Sequence, residues 1–209
     1  MTNQVASRMF TVFIVDDDPG VLKGLSRLLR ATGHDILVYT SPQEFLTRHN
    51  AAVPGCAVLD VSLPGLDGLE LQQALMAGGS HRPVIFLTGN GDIPTSVRAM
   101  RAGAIDFLTK PVSEKDLLGA IARAEEQDTK SRQVQAELAS IQARIATLTA
   151  REHQVFEHVV AGRLNKQIAG DLGTVEKTIK VHRGRMMEKL GVRTVADLVR
   201  LAGKAGVSK

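Results

Sequence analysis

Val-Phe-Ile-Val-Asp-Asp-Asp-Pro-Gly, residues 12–20, joins an apolar run directly to a cluster of acids. The four apolar residues, three of them β-branched, predict a short buried strand. The three adjacent carboxylates at its end repel one another, so they are tolerated only beside a cation or in solvent. The stretch therefore predicts a buried strand whose carboxyl end carries a charged site.

The length and composition of the chain limit its class. Its 209 residues predict one large domain or two small ones, and 44% hydrophobic with 23% charged residues is typical of a globular protein. No apolar run reaches about 18 residues and residues 1–10 lack a signal-peptide layout, so we expect a cytoplasmic protein that does not enter a membrane. Cys56 is the only cysteine, which excludes a disulfide scaffold and a cysteine-based zinc site within one chain.

The charge of the chain is unevenly distributed. Residues 1–130 contain 12 Lys/Arg and 15 Asp/Glu, a net charge of −3, whereas residues 131–209 contain 14 and 7, a net charge of +7. Together these give the +4 of the whole chain. An acidic front and a basic rear are expected if only the rear meets a polyanion such as nucleic acid, although small helical domains are often basic without such a role.

The first 126 residues alternate between short apolar runs and segments with helical periodicity. The runs lie at 10–15, 36–39, 56–60, 83–87 and 105–108, and the helical segments at 19–32, 42–50, 67–77, 94–102 and 114–126. Strands that alternate with helices predict βαβ units and a parallel sheet.

The rest of the chain has helical patterns and no strand pattern. A helix is predicted throughout about 113–148, and it carries a heptad seam at Val134, Leu138, Ile141, Ile145 and Leu148. The seam is too short to make a coiled coil convincing, so it indicates either a short coiled coil or a helix that runs on as a spacer. Thr149-Ala-Arg-Glu152 is a capping box that begins the next helix, and helices are predicted at 150–161, 165–172, 175–190 and 194–204.

Polar residues stand where four of the predicted strands end. Strand one ends in Asp16, Asp17 and Asp18, strand three in Asp60, strand four in Thr88, and strand five near Lys110. In a parallel sheet of order 2-1-3-4-5 these four strands are adjacent, and ligands sit beyond their carboxyl ends. Carboxylates suit a magnesium ion (Mg²⁺), and one of them can act as a nucleophile that forms an aspartyl phosphate. Asp18 is expected to be solvated.

This set of acids, threonine and Lys-Pro at these intervals resembles the receiver domain of two-component response regulators over residues 10–126. The resemblance implies a flavodoxin-like (βα)5 fold in which Asp60 is the phosphoacceptor. It also implies that Asp17, Asp60 and the backbone carbonyl of Ser62 bind Mg²⁺ directly, while Asp16 binds it through water.

The same resemblance implies how the phosphoryl group is held and sensed. Thr88 and Lys110 would contact its oxygens, and Phe107 would be the aromatic residue that turns inward when Thr88 moves. Ser62 and Asn90 occupy the two positions that modulate the rate of dephosphorylation.

Residues 164–182 read as a helix, a tight turn at Gly173, and a second helix. The apolar positions of the two helices form inner faces, which leaves polar positions of the second helix exposed, among them Lys177, Thr178, Lys180, Arg183 and Arg185. A basic helix behind a glycine turn indicates a helix-turn-helix whose second helix enters the DNA major groove.

This region resembles the helix-turn-helix of the LuxR/FixJ/NarL class over residues 148–206, on the matches LTAREHQVF, NKQIA, TIKVH and MEKLGVRT. The resemblance implies three sets of contacts: bases at Lys180 and Val181, phosphates near Lys166, Thr178 and His182, and a dimer contact along residues 195–202. Two positions depart from the class. Gly184 stands where some relatives have a base-contacting basic residue, and Val175 stands where a serine often caps the helix, so Thr174 is expected to cap instead.

Together these patterns predict a response regulator of the FixJ type, which is not a metabolic enzyme. We expect a receiver over residues 1–126, a helical linker over 127–147 and an all-α DNA-binding domain over 148–209. A sensor histidine kinase would phosphorylate Asp60, and the protein would dimerise and bind double-stranded DNA. Three alternatives stay open: an RNA-binding antiterminator, a regulator that works without phosphate, and a Mg²⁺-dependent phosphohydrolase, which Ser62 disfavours because such enzymes commonly have a second acid there.

Overall fold

Residues 10–89 and 93–207 are described by a computed structural model. They belong to two units, which comprise residues 1–132 and 133–209. Within these described ranges, no helix is both long enough and apolar enough to span a membrane.

The first unit is a five-stranded parallel sheet with helices between its strands. The strands are β1 (Thr11–Val15), β2 (Asp35–Tyr39), β3 (Gly55–Asp60), β4 (Val84–Thr88) and β5 (Asp106–Thr109). The helices are α1 (Pro19–Ala31), α2 (Pro42–Arg48), α3 (Gly68–Ala77), α4 (Ile93–Arg101) and α5 (Glu114–Ala146), which continues into the second unit. The strands lie in the order β2-β1-β3-β4-β5 and all their pairings are parallel. The predicted fold and strand order are confirmed.

Alternation along the central strands sorts their side chains onto two covered faces. In β1, Val12 and Ile14 pack in a cluster with residues of α1 and α5, whereas Phe13 and Val15 pack in a second cluster with residues of α2, α3 and α4. Every residue of β1, β3 and β4 is buried. This double burial explains why these strands read as continuous apolar runs rather than as alternating ones.

The sequence predicted only that Asp18 is solvated. Asp18 is exposed, but it also has a structural role. It is the N-cap of α1, and its side chain accepts hydrogen bonds from the backbone N–H groups of Gly20 and Val21. Of the three consecutive acids, the third therefore starts the helix that follows β1, because a carboxylate satisfies backbone N–H groups that have no partner within the helix.

The described residues of the second unit form helices joined by short turns, without a strand. It contains the end of α5 together with α6 (Ala150–Val160), α7 (Asn165–Asp171), α8 (Glu176–Leu190) and α9 (Val195–Lys204). One apolar cluster joins all five helices, with fully buried side chains such as Phe156, Ile168, Ile179, Leu190 and Leu198. The predicted helix start at Thr149 is confirmed, because Thr149 and Glu152 form a reciprocal capping box.

The heptad seam of α5 is used largely inside this unit. Ile141 is buried in the apolar cluster of the second unit, and Ile145 and Leu148 pack against the same cluster. Only Val134, at the start of the seam, is strongly exposed, at 64%. Three of the five seam residues therefore pack in the core of their own unit rather than being left for a coiled coil with another chain.

A buried aspartate and an arginine of α5 tie this helix to the region around the start of β3, and a second arginine holds the loop there. Asp128 Oδ2 accepts hydrogen bonds from the backbone N–H of Gly55 at 3.2 Å and from Arg132 Nε at 2.7 Å. Arg132 also donates to three carbonyls of the loop at residues 51–53, at 2.9–3.2 Å. Arg82 donates to the carbonyls of residues 50 and 53. The first unit therefore includes α5 as far as residue 132.

Replacing Asp128 by alanine is expected to destabilise the first unit by about 3 kcal/mol, because it leaves buried cationic groups without their carboxylate. Burial already lowers the pKa of Arg82 to about 10, and Asp128 opposes that shift. Tyr39 is the only tyrosine and the chain has no tryptophan, so urea unfolding followed by tyrosine fluorescence reports on this unit alone. Glu126→Ala is the control, since it removes only an exposed ion pair with Lys130, and such pairs contribute little to stability. Equal effects of the two variants would contradict the structural role of Asp128.

Glu152 makes the stability of the second unit dependent on pH. Two hydrogen bonds lower the pKa of Glu152 from 4.5 to about 2. The larger effect comes from Lys189 Nζ, which donates at 2.6 Å, and the smaller from the backbone N–H of Thr149. A carboxyl whose pKa is lower in the folded state stabilises the fold above its unfolded pKa, and the effect is lost as pH falls from about 4.5 to about 2.

We therefore expect Glu152→Gln to unfold with the uptake of about one proton fewer than wild type near pH 3. The measurement is urea unfolding followed by far-UV circular dichroism at several pH values, with the tyrosine signal separating the first unit. Glu157→Gln, an exposed change on the same helix, is the control. A Glu152→Gln variant whose stability falls with pH as steeply as that of wild type would disprove the role of Glu152.

Candidate functional site

The register of the sheet brings the predicted polar residues together at one edge. Val15 pairs with Leu59 and Thr88 pairs with Thr109, so the strands β1, β3, β4 and β5 end at neighbouring points. The residues at or just after these ends that are buried are Asp16 (1% exposed), Asp60 (5%) and Thr88 (2%). Asp17 is exposed. Two carboxylates on adjacent strands are therefore held out of water.

Lys110 bridges these two carboxylates. Its Nζ atom donates to Asp16 Oδ2 and to Asp60 Oδ1, each at 2.6 Å. Burial alone would lower the pKa of Lys110, but the hydrogen bonds to Asp16 and Asp60 outweigh it, and the net shift is upward. Lys110 is therefore a cation that offsets part of the charge of the two buried acids.

Backbone N–H groups hold the other oxygen of each acid. The N–H of Ser62 donates to Asp60 Oδ2 at 2.8 Å, and the N–H of Asp18 donates to Asp16 Oδ1 at 3.0 Å. Each carboxylate is thus fixed on one side by its own loop and on the other by Lys110. Such orientation keeps Asp60 in one position relative to a reacting group.

The donor set has the chemistry of a magnesium site. The carboxylates of Asp16, Asp17 and Asp60 with the ammonium of Lys110 leave two negative charges, which a divalent cation would balance. Among the described residues, no three acidic, histidine or cysteine side chains converge as a ready-made metal cage. Mg²⁺ does not need one, because it keeps several waters and is commonly held by one or two carboxylates and phosphate oxygens. The residues present therefore fit the ion.

The remaining predicted residues of the first unit lie around this cluster. Ser62 is exposed and lies in the loop that follows β3. Phe107 on β5 is half-buried, and its ring centroid is 6.2 Å from that of Phe86. Thr88 ends β4, next to the segment that leads to α4. Asn90, the second predicted modulator of dephosphorylation, lies outside the described residues.

The second unit contains the predicted helix-turn-helix in α7 and α8. Gly173 in the turn has a φ of 61°, a left-handed conformation that favours glycine. The N-cap of α8 is Val175, and no side chain caps the helix there, so the expectation that Thr174 would do so is wrong. Arg151 of α6 instead steadies the turn by donating to the carbonyl of Leu172 at 2.7 Å.

The predicted DNA-contacting residues are distributed between the exposed face and the flanks of α8. Its inner side is formed by Ile179, Met186 and Leu190, which are fully buried. Most of the predicted contact residues are exposed, namely Lys166 on α7 and Lys177, Lys180, Val181 and Arg185 on α8, whereas Thr178 and His182 are half-buried at its flanks. Lys180 Nζ lies 3.2 Å from Glu176 Oε1, one helical turn earlier.

Arg183 differs from the other predicted contacts. Its Nη1 atom donates to Asn165 Oδ1 at 2.9 Å, and the side chain is half-buried. Arg183 therefore ties α8 to the start of α7 rather than projecting freely. This pair could not be predicted from the sequence, because Asn165 and Arg183 are brought together only by the packing of the two helices.

Comparison with known proteins finds a family model in each of the two units. Residues 12–122 match the model of the response regulator receiver domain, and residues 146–202 match that of the bacterial regulatory proteins of the luxR family. The chain belongs to the DNA-binding two-component response regulators of the LuxR/FixJ family. The matched ranges include Asp16, Asp60 and Lys110 in the first unit and all of α7 and α8 in the second.

Relatives of this response regulator extend over nearly its whole length. It is 42% identical to nodulation protein W of Bradyrhizobium diazoefficiens, over 97% of this chain and 89% of that protein. It is 38% identical to the transcriptional regulatory protein FixJ of the same organism, over 94% of this chain and 96% of that protein. The solved low-resolution structure of response regulator StyR is 44% identical, with a TM-score of 0.81 over 94% of this chain and 99% of that one. The predicted family is confirmed, and it is a family of transcription regulators rather than metabolic enzymes.

Proposed function

We propose that this response regulator is phosphorylated on Asp60 by a sensor histidine kinase, in a reaction that depends on Mg²⁺. The observation that carries the proposal is the pair of 2.6 Å hydrogen bonds from Lys110 Nζ to Asp16 and Asp60. They place a cation beside a fixed, buried carboxylate. The three acids around Lys110 still carry more negative charge than its ammonium balances. Both proposed partners, the kinase and DNA, would be met in the cytoplasm.

Each residue of the cluster has a proposed part in the transfer. Asp17, Asp60 and the carbonyl of Ser62 would hold Mg²⁺ directly and Asp16 through water, and the ion would neutralise the incoming phosphoryl group. A carboxylate oxygen of Asp60 would attack the phosphorus atom, the bond from phosphorus to the histidine nitrogen of the kinase would break, and the dephosphorylated histidine would leave. Lys110, already within hydrogen-bonding distance of Asp60, would bind a phosphoryl oxygen.

The phosphoryl group would then be sensed by neighbouring residues. Thr88 would contact a second phosphoryl oxygen, and Phe107, which is only half-buried beside Phe86, would turn further inward. Ser62 and Asn90 would set the rate at which the phosphoryl group is lost. Phosphorylation would thus act as a local change of charge that biases an element with two states.

The second unit would bind double-stranded DNA through α8. We propose that Lys177, Lys180, Val181 and Arg185 face the major groove, that Lys166, Thr178 and His182 lie near phosphates, and that Arg183 holds α8 against α7. The functional division proposed is a receiver over residues 1–126, a linker over 127–147 and a DNA-binding domain over 148–209. The luxR-family match favours duplex DNA over the RNA-binding alternative.

Phosphorylation is tested by incubating the full chain with Mg²⁺ and acetyl phosphate and following its intact mass. We expect one labile phosphoryl group on wild type and none on Asp60→Asn, because the other buried acid bonded to Lys110, Asp16, would bind Mg²⁺ through water rather than receive the phosphoryl group. Asp35→Asn, which changes an exposed carboxylate on β2, is the control and should be modified as wild type is.

Two outcomes would contradict this proposal. Equal modification of Asp60→Asn would place the phosphoryl group elsewhere. Continuous release of phosphate over many turnovers would instead support the phosphohydrolase alternative.

Dimerisation is proposed to follow phosphorylation, and an exposed apolar row on α4 is the surface that we favour. Ile93, Val97 and Met100 lie one to two turns apart and are 77%, 43% and 47% exposed. Helix α4 follows β4, which ends in Thr88, so a change at the phosphorylation site would reach it through a short segment. A second exposed pair, Val195 and Val199 on α9, is the competing surface.

Matched substitutions separate the two surfaces. Val97→Glu is expected to weaken dimerisation of the phosphorylated chain at least about tenfold, because a carboxylate would be buried in the contact. Val199→Glu should leave it unchanged, and sedimentation velocity with acetyl phosphate measures both. The reverse result would assign the dimer contact to α9.

A further inference from the structure

The outward face of α8 has an apolar centre within a charged surround. Ile179, Met186 and Leu190 are buried, and the opposite face carries residues 177, 181, 184 and 188, which follow one another at helical spacing. All four are exposed. The outer two are Lys177 and Glu188, but the middle two are Val181 and Gly184, which have no polar side chain.

Nothing inside the protein requires glycine at position 184. A Cβ atom built on Gly184 would meet no atom within 4 Å, and its φ is not in the left-handed range, unlike that of Gly191, which ends the helix. A glycine in the middle of a helix is less favourable than alanine, so its use here lowers the intrinsic stability of α8. A missing side chain on an exposed face is useful where another molecule must approach the backbone closely.

The cations that flank this centre are partly directed elsewhere. Lys180 is paired with Glu176, and Arg183 is bonded to Asn165. Val181 remains 46% exposed between them. The middle of the face is therefore suited to an apolar group of the partner rather than to a hydrogen-bonding edge.

We propose that Val181 and Gly184 form an apolar notch that receives the C5-methyl group of a thymine in the DNA major groove. The thymine methyl is the apolar group that base pairs present in that groove, so it matches the chemistry of the notch. Gly184 would determine specificity by letting the backbone of α8 lie close to this base. The inference rests on the proposed placement of α8 in the major groove.

The test begins with duplexes selected from a random-sequence library by the full-length wild-type chain treated with Mg²⁺ and acetyl phosphate. Each thymine of a selected duplex is then replaced singly by deoxyuridine, which removes only the methyl group. We expect one thymine in each half-site whose replacement weakens wild-type binding about fourfold, the worth of one buried methyl. In Val181→Ala, the difference in affinity between the thymine duplex and the deoxyuridine duplex should be smaller than in wild type.

Gly184→Ala separates a role in binding from a role in folding. The added methyl group should raise the Tm of the second unit by about 4 °C and weaken binding to the selected duplex about tenfold, because it fills the notch. Gly203→Ala is the matched control: it is also a helical glycine of this unit with free space around its Cβ, so it should raise the Tm without weakening binding.

The outcomes distinguish this inference from the proposed function on which it rests. If binding depends on Lys177 and Arg185 but is indifferent to Gly184→Ala and to every thymine methyl, the notch is wrong and the DNA interface stands. If the wild-type chain selects no duplex, or Lys177→Ala and Arg185→Ala bind as wild type does, both the interface and the notch are wrong.

Discussion

The functional site of the first unit depends on two buried carboxylates that share one ammonium group. Asp16 and Asp60 lie on adjacent strands, and removing them from water is unfavourable unless a cation is close to both. Lys110 follows the edge strand β5, and its side chain reaches across the end of the sheet to both acids. The strand order and the site are therefore two aspects of one arrangement. Because one ammonium cannot balance both of these acids and Asp17, the same arrangement leaves two negative charges, which a divalent metal ion would balance.

This imbalance also suggests how the site could act as a switch. Lys110 has two carboxylate partners here, and a phosphoryl group on Asp60 would offer it a third, more highly charged one. Any shift of Lys110 would be felt along β5, where Phe107 is only half-buried, and beside it at the end of β4, where Thr88 lies. Both strands are next to α4 in the chain, and its exposed apolar residues would respond to the same shift.

Much of this could be predicted from the sequence because parallel strands buried on both faces read as β-branched runs. The acids, threonine and lysine were placed together by the rule that such strands end at one edge. The ties around Asp128 could not be predicted, because Gly55 lies 73 residues away and the bonds involve backbone groups. The seam of α5 was ambiguous because a heptad spacing identifies an apolar stripe but not the surface that covers it. The bond between Arg183 and Asn165 could not be predicted either, because a basic side chain says nothing about the packing of α8 against α7.

The construction of the second unit explains why α8 can carry residues that are poor for a helix. Its first turn has no side-chain cap and its middle contains Gly184, so local preferences alone would give a weak helix. Its stability comes instead from tertiary packing, through Ile179, Met186 and Leu190 in the core and through Arg183 bonded to Asn165. Because the inner face supplies the stability, the outer face is free to be shaped by the molecule that it contacts. The lower helix propensity of Gly184 is then offset by the packing of α8 in the core of five helices.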